Sequence, residues 1–173
     1  MNVNAKICIN TLSAMSQADF VTTLADIFEH SPWIPERAWS ARPFADVGQL
    51  HASMLAVLDA ATPEEQLGLI CAHPELAGKE AAAGTLTDAS TAEQRGAGLD
   101  QCSKEELQRL RDLNEAYREG FGFPFVIAVK GLSRYQIMDS VDARLKNDRA
   151  TEFKACLREI GKIARFRLDA LFG

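Results

Sequence analysis

The chain has 173 residues, a formal charge of −5 at pH 7 and an isoelectric point of about 5.2. Binding to nucleic acid or to an anionic membrane needs a basic surface, so this composition argues against either partner. The length predicts a single domain over residues 1–173 with a substantial core.

The first residues, MNVNAKICINTL, contain one lysine and a short, interrupted apolar run. They lack the apolar region of a secretory signal, and no later segment has the length of a membrane span. Cys8, Cys71, Cys102 and Cys156 lie far apart without the spacing of zinc ligands, which predicts reduced core thiols and no metal site. We therefore expect a cytoplasmic protein.

Six positions carry the pattern of a helix start, in which a small polar residue is followed three places later by an acid or an amide. The pairs are Ser16 with Asp19, Asp46 with Gln49, Thr62 with Glu65, Ser90 with Glu93, Ser103 with Glu106, and Ser133 with Gln136. Apolar residues recur downstream at helical spacing, as in Phe20, Leu24, Ile27 and Phe28. We also expect a short helix with Pro35 in its first turn and a final helix from about Thr151 to Leu171.

The run from Phe125 to Val129, in FGFPFVIAVKG, is the only segment that resembles a strand. An apolar run of this length can equally be buried irregular chain, and one strand cannot form a sheet. The sequence therefore predicts an all-α fold of about seven or eight packed helices. Long connections are expected over Gly78 to Ala89 and over Gly120 to Leu132.

His73 stands at an expected helix end in the sequence ICAHPELAG. Pro74 disfavours helical dihedral angles at the residue before it, so the helix begun at Thr62 should stop at or just before His73. The field at a helix C-terminus favours a protonated histidine, which suits proton transfer. A capping or surface histidine fits the same residues, and we interpret His30 and His51 as structural.

Ser90, Glu93 and Gln94 allow two interpretations. They fit a capping box and nothing more. They also fit a helix N-terminus that offers N–H groups, a carboxylate and an amide beside a loop, which suits ligand binding. The residues alone do not decide between these interpretations.

Arg167 lies in the middle of an apolar stripe of the last predicted helix. Steps of three or four residues back from Leu171 reach Arg167 and then Ala164. A guanidinium is costly to bury alone, so Arg167 must reach solvent, pair with an internal acid or face a polar ligand cavity. All three arrangements stay open from the sequence.

These motifs resemble those of a known family, the 2-oxo-4-hydroxy-4-carboxy-5-ureidoimidazoline (OHCU) decarboxylases of urate breakdown. The resemblance covers nearly the whole chain and is carried by FEHSPW, ARPF, AHPELAGK, STAEQRGAGLD, LNEAYREGFGFPFVIAVKG and EIGKIARFRL, in that order. Gly120 departs from the family pattern, since relatives often have a basic residue before FGFPF.

The resemblance implies an all-helical lyase without a cofactor or metal, commonly a homodimer, that converts the small molecule OHCU to (S)-allantoin. It implies that His73 handles the proton and that Glu93 is the active-site carboxylate. The implied substrate contacts are Pro74, Ser90, Gln94, Phe125, Val126, Ile127, Ala128, Val129 and Arg167.

Two other functions fit the residues. One is a ureide or hydantoin hydrolase, in which His73 and Glu93 activate water and no carbon dioxide is released. The other is a helical interaction module without catalysis, in which no pocket unites His73, Glu93 and Arg167.

Overall fold

The computed structural model describes residues 6–173, and no residue in that range forms a strand. Its ten α-helices are α1 (Ile9–Ser13), α2 (Gln17–Thr23), α3 (Trp33–Ala38), α4 (Val47–Ala60), α5 (Pro63–Ala72), α6 (Lys79–Ala83), α7 (Asp88–Gly96), α8 (Lys104–Phe121), α9 (Arg134–Arg144) and α10 (Arg149–Phe172). The predicted all-α fold is confirmed. Three of the ten, α1, α3 and α6, have six residues or fewer. The seven longer helices match the expected seven or eight.

The described chain forms two compact units. Unit 1 comprises the described residues up to Leu69 together with Gly161–Gly173, and unit 2 comprises Ile70–Ile160. The division falls inside α5 and inside α10. The single domain expected from the length stays a prediction.

Unit 1 buries the apolar stripe that begins in α2. Phe20, Leu24, Ile27 and Phe28 are all buried, as their spacing predicted, although α2 itself ends at Thr23. The Phe20 ring also stacks on Phe44 with 5.9 Å between centroids. Burial of each such side chain contributes roughly 1.5–3 kcal/mol to folding.

Unit 2 is built around the ring of Tyr117, which lies on the buried face of α8. Its centroid is 4.6 Å from that of Phe121, 6.0 Å from that of Phe123 and 5.2 Å from that of Phe125. Tilted and edge-on aromatic contacts add about 0.5–1.5 kcal/mol per pair beyond the area buried. This cluster fixes the chain that follows α8 against α8 itself.

Five of the six predicted helix starts are confirmed. In each, the side chain accepts a hydrogen bond from the backbone N–H three residues later; the capping residues are Ser16, Asp46, Thr62, Ser103 and Ser133. The reciprocal bond that completes a capping box is present at Thr62, Ser103 and Ser133.

The sixth predicted start, Ser90 with Glu93, is wrong. The N-cap of α7 lies three residues earlier at Thr87, whose side chain accepts from the Ser90 N–H at 3.2 Å. Ser90 therefore belongs to the first turn of the helix. The sequence pattern missed Thr87 because the residue three places later is a serine and not an acid or an amide.

Two further helices lie where the sequence predicted them. Pro35 falls in α3, and a 3-10 turn over Trp39–Ala41 ends the helical chain before Pro43. The last helix exceeds its expected bounds by two residues at the start and one at the end.

The two predicted connections are shorter than expected. The segment from Gly78 to Ala89 contains α6 and the start of α7. Gly120 is helical because α8 continues to Phe121. The chain leaves α8 at Gly122 with φ of 84°, a conformation that glycine adopts without a side-chain clash.

The described helices include none long and apolar enough to cross a membrane. The four cysteines are free thiols. The predicted core position is confirmed for Cys156 and is wrong for Cys8 and Cys71, which are exposed. Cys102 is half-buried and so lies only partly in the core.

Candidate active site

His73 directly follows the last residue of α5, as Pro74 predicted. Its backbone N–H donates to the Ile70 carbonyl at 3.2 Å, which closes the last turn of the helix. The residue is only 7% exposed, so it is not a surface histidine. A buried imidazole at a helix end is well placed to transfer a proton inside a desolvated site.

The turn after His73 has an unusual backbone. Ala77 has φ of 49°, in the left-handed region that residues with a side chain rarely occupy. At Gly78 a Cβ atom would lie 2.8 Å from the Cβ of Glu75, so only glycine fits this close approach. The glycine in AHPELAG is therefore required by the geometry of the turn.

Side chains from two helices hold this turn. The Gln94 Oε1 atom of α7 accepts from the Ala77 N–H at 2.8 Å, and the Asn114 Nδ2 atom of α8 donates to the Leu76 carbonyl at 3.1 Å. Both side chains are buried. Arg118 adds an exposed ion pair to Glu75. The position of His73 is thus set by α7 and α8 as well as by its own helix.

Ser90, Glu93 and Gln94 share one face of α7, since they are separated by three and four residues. Ser90 and Gln94 are buried, and Glu93 is half-buried. The bond from Gln94 to Ala77 joins this face to the turn that follows His73. No local sequence pattern indicates this structural role of Gln94, and substrate binding by its amide stays a prediction.

The segment from Phe125 to Val129 is buried irregular chain, one of the two conformations the sequence allowed. Arg144 of α9 holds it. The Arg144 Nη1 atom donates to the Val126 carbonyl at 2.8 Å, and the guanidinium lies 4.4 Å from the centroid of the Phe125 ring. The segment therefore has a fixed backbone.

Arg144 is itself held by a buried carboxylate. Its Nε atom lies 2.7 Å from Oε1 of Glu152, a residue with no exposed surface, and the same oxygen accepts from the Tyr117 hydroxyl at 2.7 Å. Asn147 donates to the other Glu152 oxygen at 2.9 Å. Burial raises the pKa of Tyr117 far above its ordinary value, so its hydroxyl stays protonated and donates.

Arg167 lies in unit 1, where it pairs with an internal acid. Its Nη2 atom is 3.0 Å from Oε1 of Glu29, whose side chain is 1% exposed, and its Nη1 atom donates to the Asp26 carbonyl at 3.0 Å. The other site residues predicted from the sequence belong to unit 2. Glu29 was not among the site residues predicted from the sequence, although in FEHSPW it directly follows the inward-facing Phe28.

The two remaining histidines have the structural positions expected of them. His30 is exposed, with Nε2 3.8 Å from the Glu29 carboxylate. His51 is half-buried, with Nε2 2.8 Å from the Gly161 carbonyl. Among residues 6–173, no three side chains of His, Cys, Asp or Glu are grouped as a metal site would need.

Comparison with protein families gives a match to the OHCU decarboxylase family over residues 13–169. The chain is 39% identical over 167 residues to the 2-oxo-4-hydroxy-4-carboxy-5-ureidoimidazoline decarboxylase of Haloferax volcanii, covering 96% of this chain and 97% of that protein. It is 43% identical over 160 residues to the uric acid degradation bifunctional protein PucL of Bacillus subtilis. That match covers 92% of this chain and 32% of PucL, so the chain spans about a third of this relative.

Two solved structures are similar to this chain. A crystal structure of (S)-allantoin synthase superposes with a TM-score of 0.75 at 28% identity, covering 95% of this chain and 54% of that one. A crystal structure of OHCU decarboxylase in the presence of (S)-allantoin gives a TM-score of 0.70 at 20% identity, covering 87% of this chain and 97% of that one. The second likeness concerns the fold alone.

Proposed function

This chain belongs to the OHCU decarboxylase family, and on that premise we propose that it is a carbon–carbon lyase that decarboxylates OHCU to (S)-allantoin in urate degradation. The observation that carries the proposal is the family match over nearly the whole chain. The buried His73 and the α7 face that is bonded to its turn support it.

The proposed reaction needs no cofactor, because the substrate contains its own electron acceptor. The bond from the ring carbon to the carboxylate breaks and carbon dioxide leaves. The electron pair forms a C=C bond to the carbon that bears the ureido group, and the π pair of the ring C=N bond moves to its nitrogen, which takes a proton. The resulting enol then takes a proton on the carbon that bears the ureido group, while its hydroxyl becomes the carbonyl of allantoin. One proton is consumed overall, and protonation from one face gives one enantiomer.

We propose that His73 transfers this proton and that Glu93 hydrogen-bonds the substrate hydroxyl or orients the imidazole. Histidine is the side chain that most often transfers protons in enzymes that work near neutral pH. Ser90 and the Gln94 amide are proposed to bind the ureido and ring amide groups, beside Pro74. Arg167 is proposed to contact an anionic oxygen, in a position held by Glu29.

The backbone groups of Phe125, Val126, Ile127, Ala128 and Val129 are proposed to bind substrate oxygens. All five residues are buried, which strengthens hydrogen bonds to a ligand by excluding water.

We further propose a homodimer in the cytoplasm. The free thiols support a reducing compartment, and the oligomeric state is measured by light scattering on a size-exclusion column.

The test is turnover of OHCU generated in situ from urate, with (S)-allantoin followed by circular dichroism. We expect wild type to produce the signal faster than the spontaneous racemic decay, and to do so after treatment with a chelator. His73→Asn should lower kcat by about 10²–10⁴-fold, the usual contribution of a general acid or base.

The matched control is His30→Asn, because His30 is exposed and asparagine tolerates its φ of 46°. This control should keep wild-type turnover. Near-native turnover by a folded His73→Asn variant would overturn the role of His73. Absence of wild-type turnover contradicts the decarboxylase, and formation of a ring-opened acid without carbon dioxide would support the hydrolase.

A further inference from the structure

Arg144 contacts the backbone of the Phe125–Val129 segment, and none of the roles assigned above includes it. Its side chain is 14% exposed and reaches the Val126 carbonyl through Nη1 at 2.8 Å. The guanidinium also packs on the Phe125 ring, and Nη2 lies 3.5 Å from the Cys156 sulfur. A planar guanidinium bound on three sides fixes the orientation of the peptide group it touches.

That peptide group joins Val126 to Ile127. In a trans peptide the C=O and N–H bonds point in opposite directions. Because the carbonyl points at Arg144, the Ile127 N–H points away from it. Among residues 6–173, the backbone hydrogen bonds outside the helices do not use the Ile127 N–H.

A cation on the carbonyl also changes the strength of the N–H. Hydrogen bonds in a chain polarise one another, by about 10–30% per bond in condensed phases. A guanidinium on the Val126 carbonyl therefore makes the Ile127 N–H a stronger donor than an ordinary amide. Donors of this kind, fixed before the reaction, stabilise oxygen atoms that gain charge in a transition state.

Glu152 keeps Arg144 in this position. Its buried carboxylate accepts from Arg144, Tyr117 and Asn147, so both of its oxygens are bonded. A carboxylate with this many donors is a rigid anchor, and its charge offsets that of the guanidinium in the interior. The anchor and the segment belong to the same unit.

We propose that Arg144, anchored by Glu152, is a positioning residue that orients and polarises the Val126–Ile127 peptide so that the Ile127 N–H binds an oxygen of the substrate. This inference rests on the proposed function. It adds a residue that acts through the backbone and does not touch the substrate.

The kinetic test uses Arg144→Lys, which keeps the charge beside Glu152 and loses the planar fork that reaches Val126. We expect kcat for OHCU to fall about tenfold with KM changed less than threefold, since the donor acts most strongly on an oxygen that gains charge. The matched control is Arg134→Lys, which alters an Arg–Glu ion pair of the same unit, Arg134 with Glu106, away from the segment.

A second variant guards against misfolding. Arg144→Met combined with Glu152→Gln removes both charges and leaves an amide oxygen for the Tyr117 hydroxyl, so no isolated charge stays buried. It should show the same loss of kcat. Unchanged kcat in a folded variant, with only a lower melting temperature, would overturn the positioning role.

A spectroscopic readout follows the peptide itself. Val–Ile occurs once in the sequence, at Val126–Ile127, so ¹³C-carbonyl valine with ¹⁵N-isoleucine selects one amide signal in an HNCO spectrum. We expect Arg144→Lys to move this signal, Arg134→Lys to leave it in place, and saturating (S)-allantoin to move it in wild type. No movement with allantoin would refute the N–H contact, whereas loss of wild-type OHCU turnover would refute the proposed function and this inference together.

Discussion

At the scale of single residues, Arg167 and Glu29 form a buried ion pair in unit 1. Arg167 lies on the apolar, inward-facing stripe of α10, and its Nη2 atom is 3.0 Å from Oε1 of the buried Glu29 carboxylate. Each charge would be costly to bury alone. Of the three arrangements that the sequence allowed for Arg167, the structure contains the internal ion pair. Contact of Arg167 with substrate stays a proposal.

Arg167→Met should destabilise the protein strongly, because it removes the cation beside a buried carboxylate. We expect a loss of about 3–5 kcal/mol in the free energy of unfolding, measured by urea titration. Adding Glu29→Gln should recover much of this loss by removing the buried charge. A loss below about 1 kcal/mol in the single variant would mean that the pair contributes little.

His73 illustrates what one residue's sequence context can predict. Pro74 disfavours helical dihedral angles at the residue before it, so the sequence predicts the end of α5. The hydrogen bonds of Gln94 and Asn114 to the turn after His73 could not be predicted from the sequence, because they join residues 17 and 38 positions apart. Such pairs carry no local pattern.

At the scale of single elements, α7 shows the limit of capping rules. Ser90 and Glu93 match the capping pattern, but the helix begins at the earlier Thr87. Both assignments satisfy local chemistry. In the structure α7 begins at the earlier cap, so Ser90 lies inside the first turn and is buried on the same face as Gln94.

Thr87→Ala should destabilise α7 by about 1 kcal/mol, the usual cost of losing an N-cap hydroxyl. Thr91→Ala is the matched control, since its hydroxyl donates only to the Thr87 backbone carbonyl at 2.9 Å, which stays in place, and alanine favours helix. Chemical denaturation of both variants checks this. Equal effects of the two substitutions would argue against Thr87 as the cap.

At the scale of the whole molecule, stability should depend on pH through carboxylates in ion pairs. The hydrogen bond from Arg134, helped by the Ser103 N–H, lowers the pKa of Glu106 from 4.5 to about 2. A carboxyl group with a depressed pKa stabilises the folded state above its unfolded pKa. This contribution is lost as the pH falls from about 4.5 towards 2.

Glu106→Gln should therefore make the free energy of unfolding depend less on pH in the acid range. Wild type should lose more stability than the variant between pH 4.5 and 2, and the two curves should run parallel above pH 5. Urea unfolding across this range measures the difference. Glu105→Gln, at an exposed neighbouring position outside this ion pair, is the control and should follow wild type.

The sequence by itself determined the all-α class, five helix starts, the buried stripes and the end of α5 at His73. These features depend on residues within a few positions of one another, where hydrogen bonding and helical periodicity act. Only the tertiary structure decided the partner of Arg167, the start of α7, the hydrogen bonds that hold the turn after His73, and the hydrogen bond from Arg144 to Val126. Each of these depends on which distant side chains meet when the helices pack, because a buried charge or amide is satisfied by neighbours in space and not by neighbours in sequence.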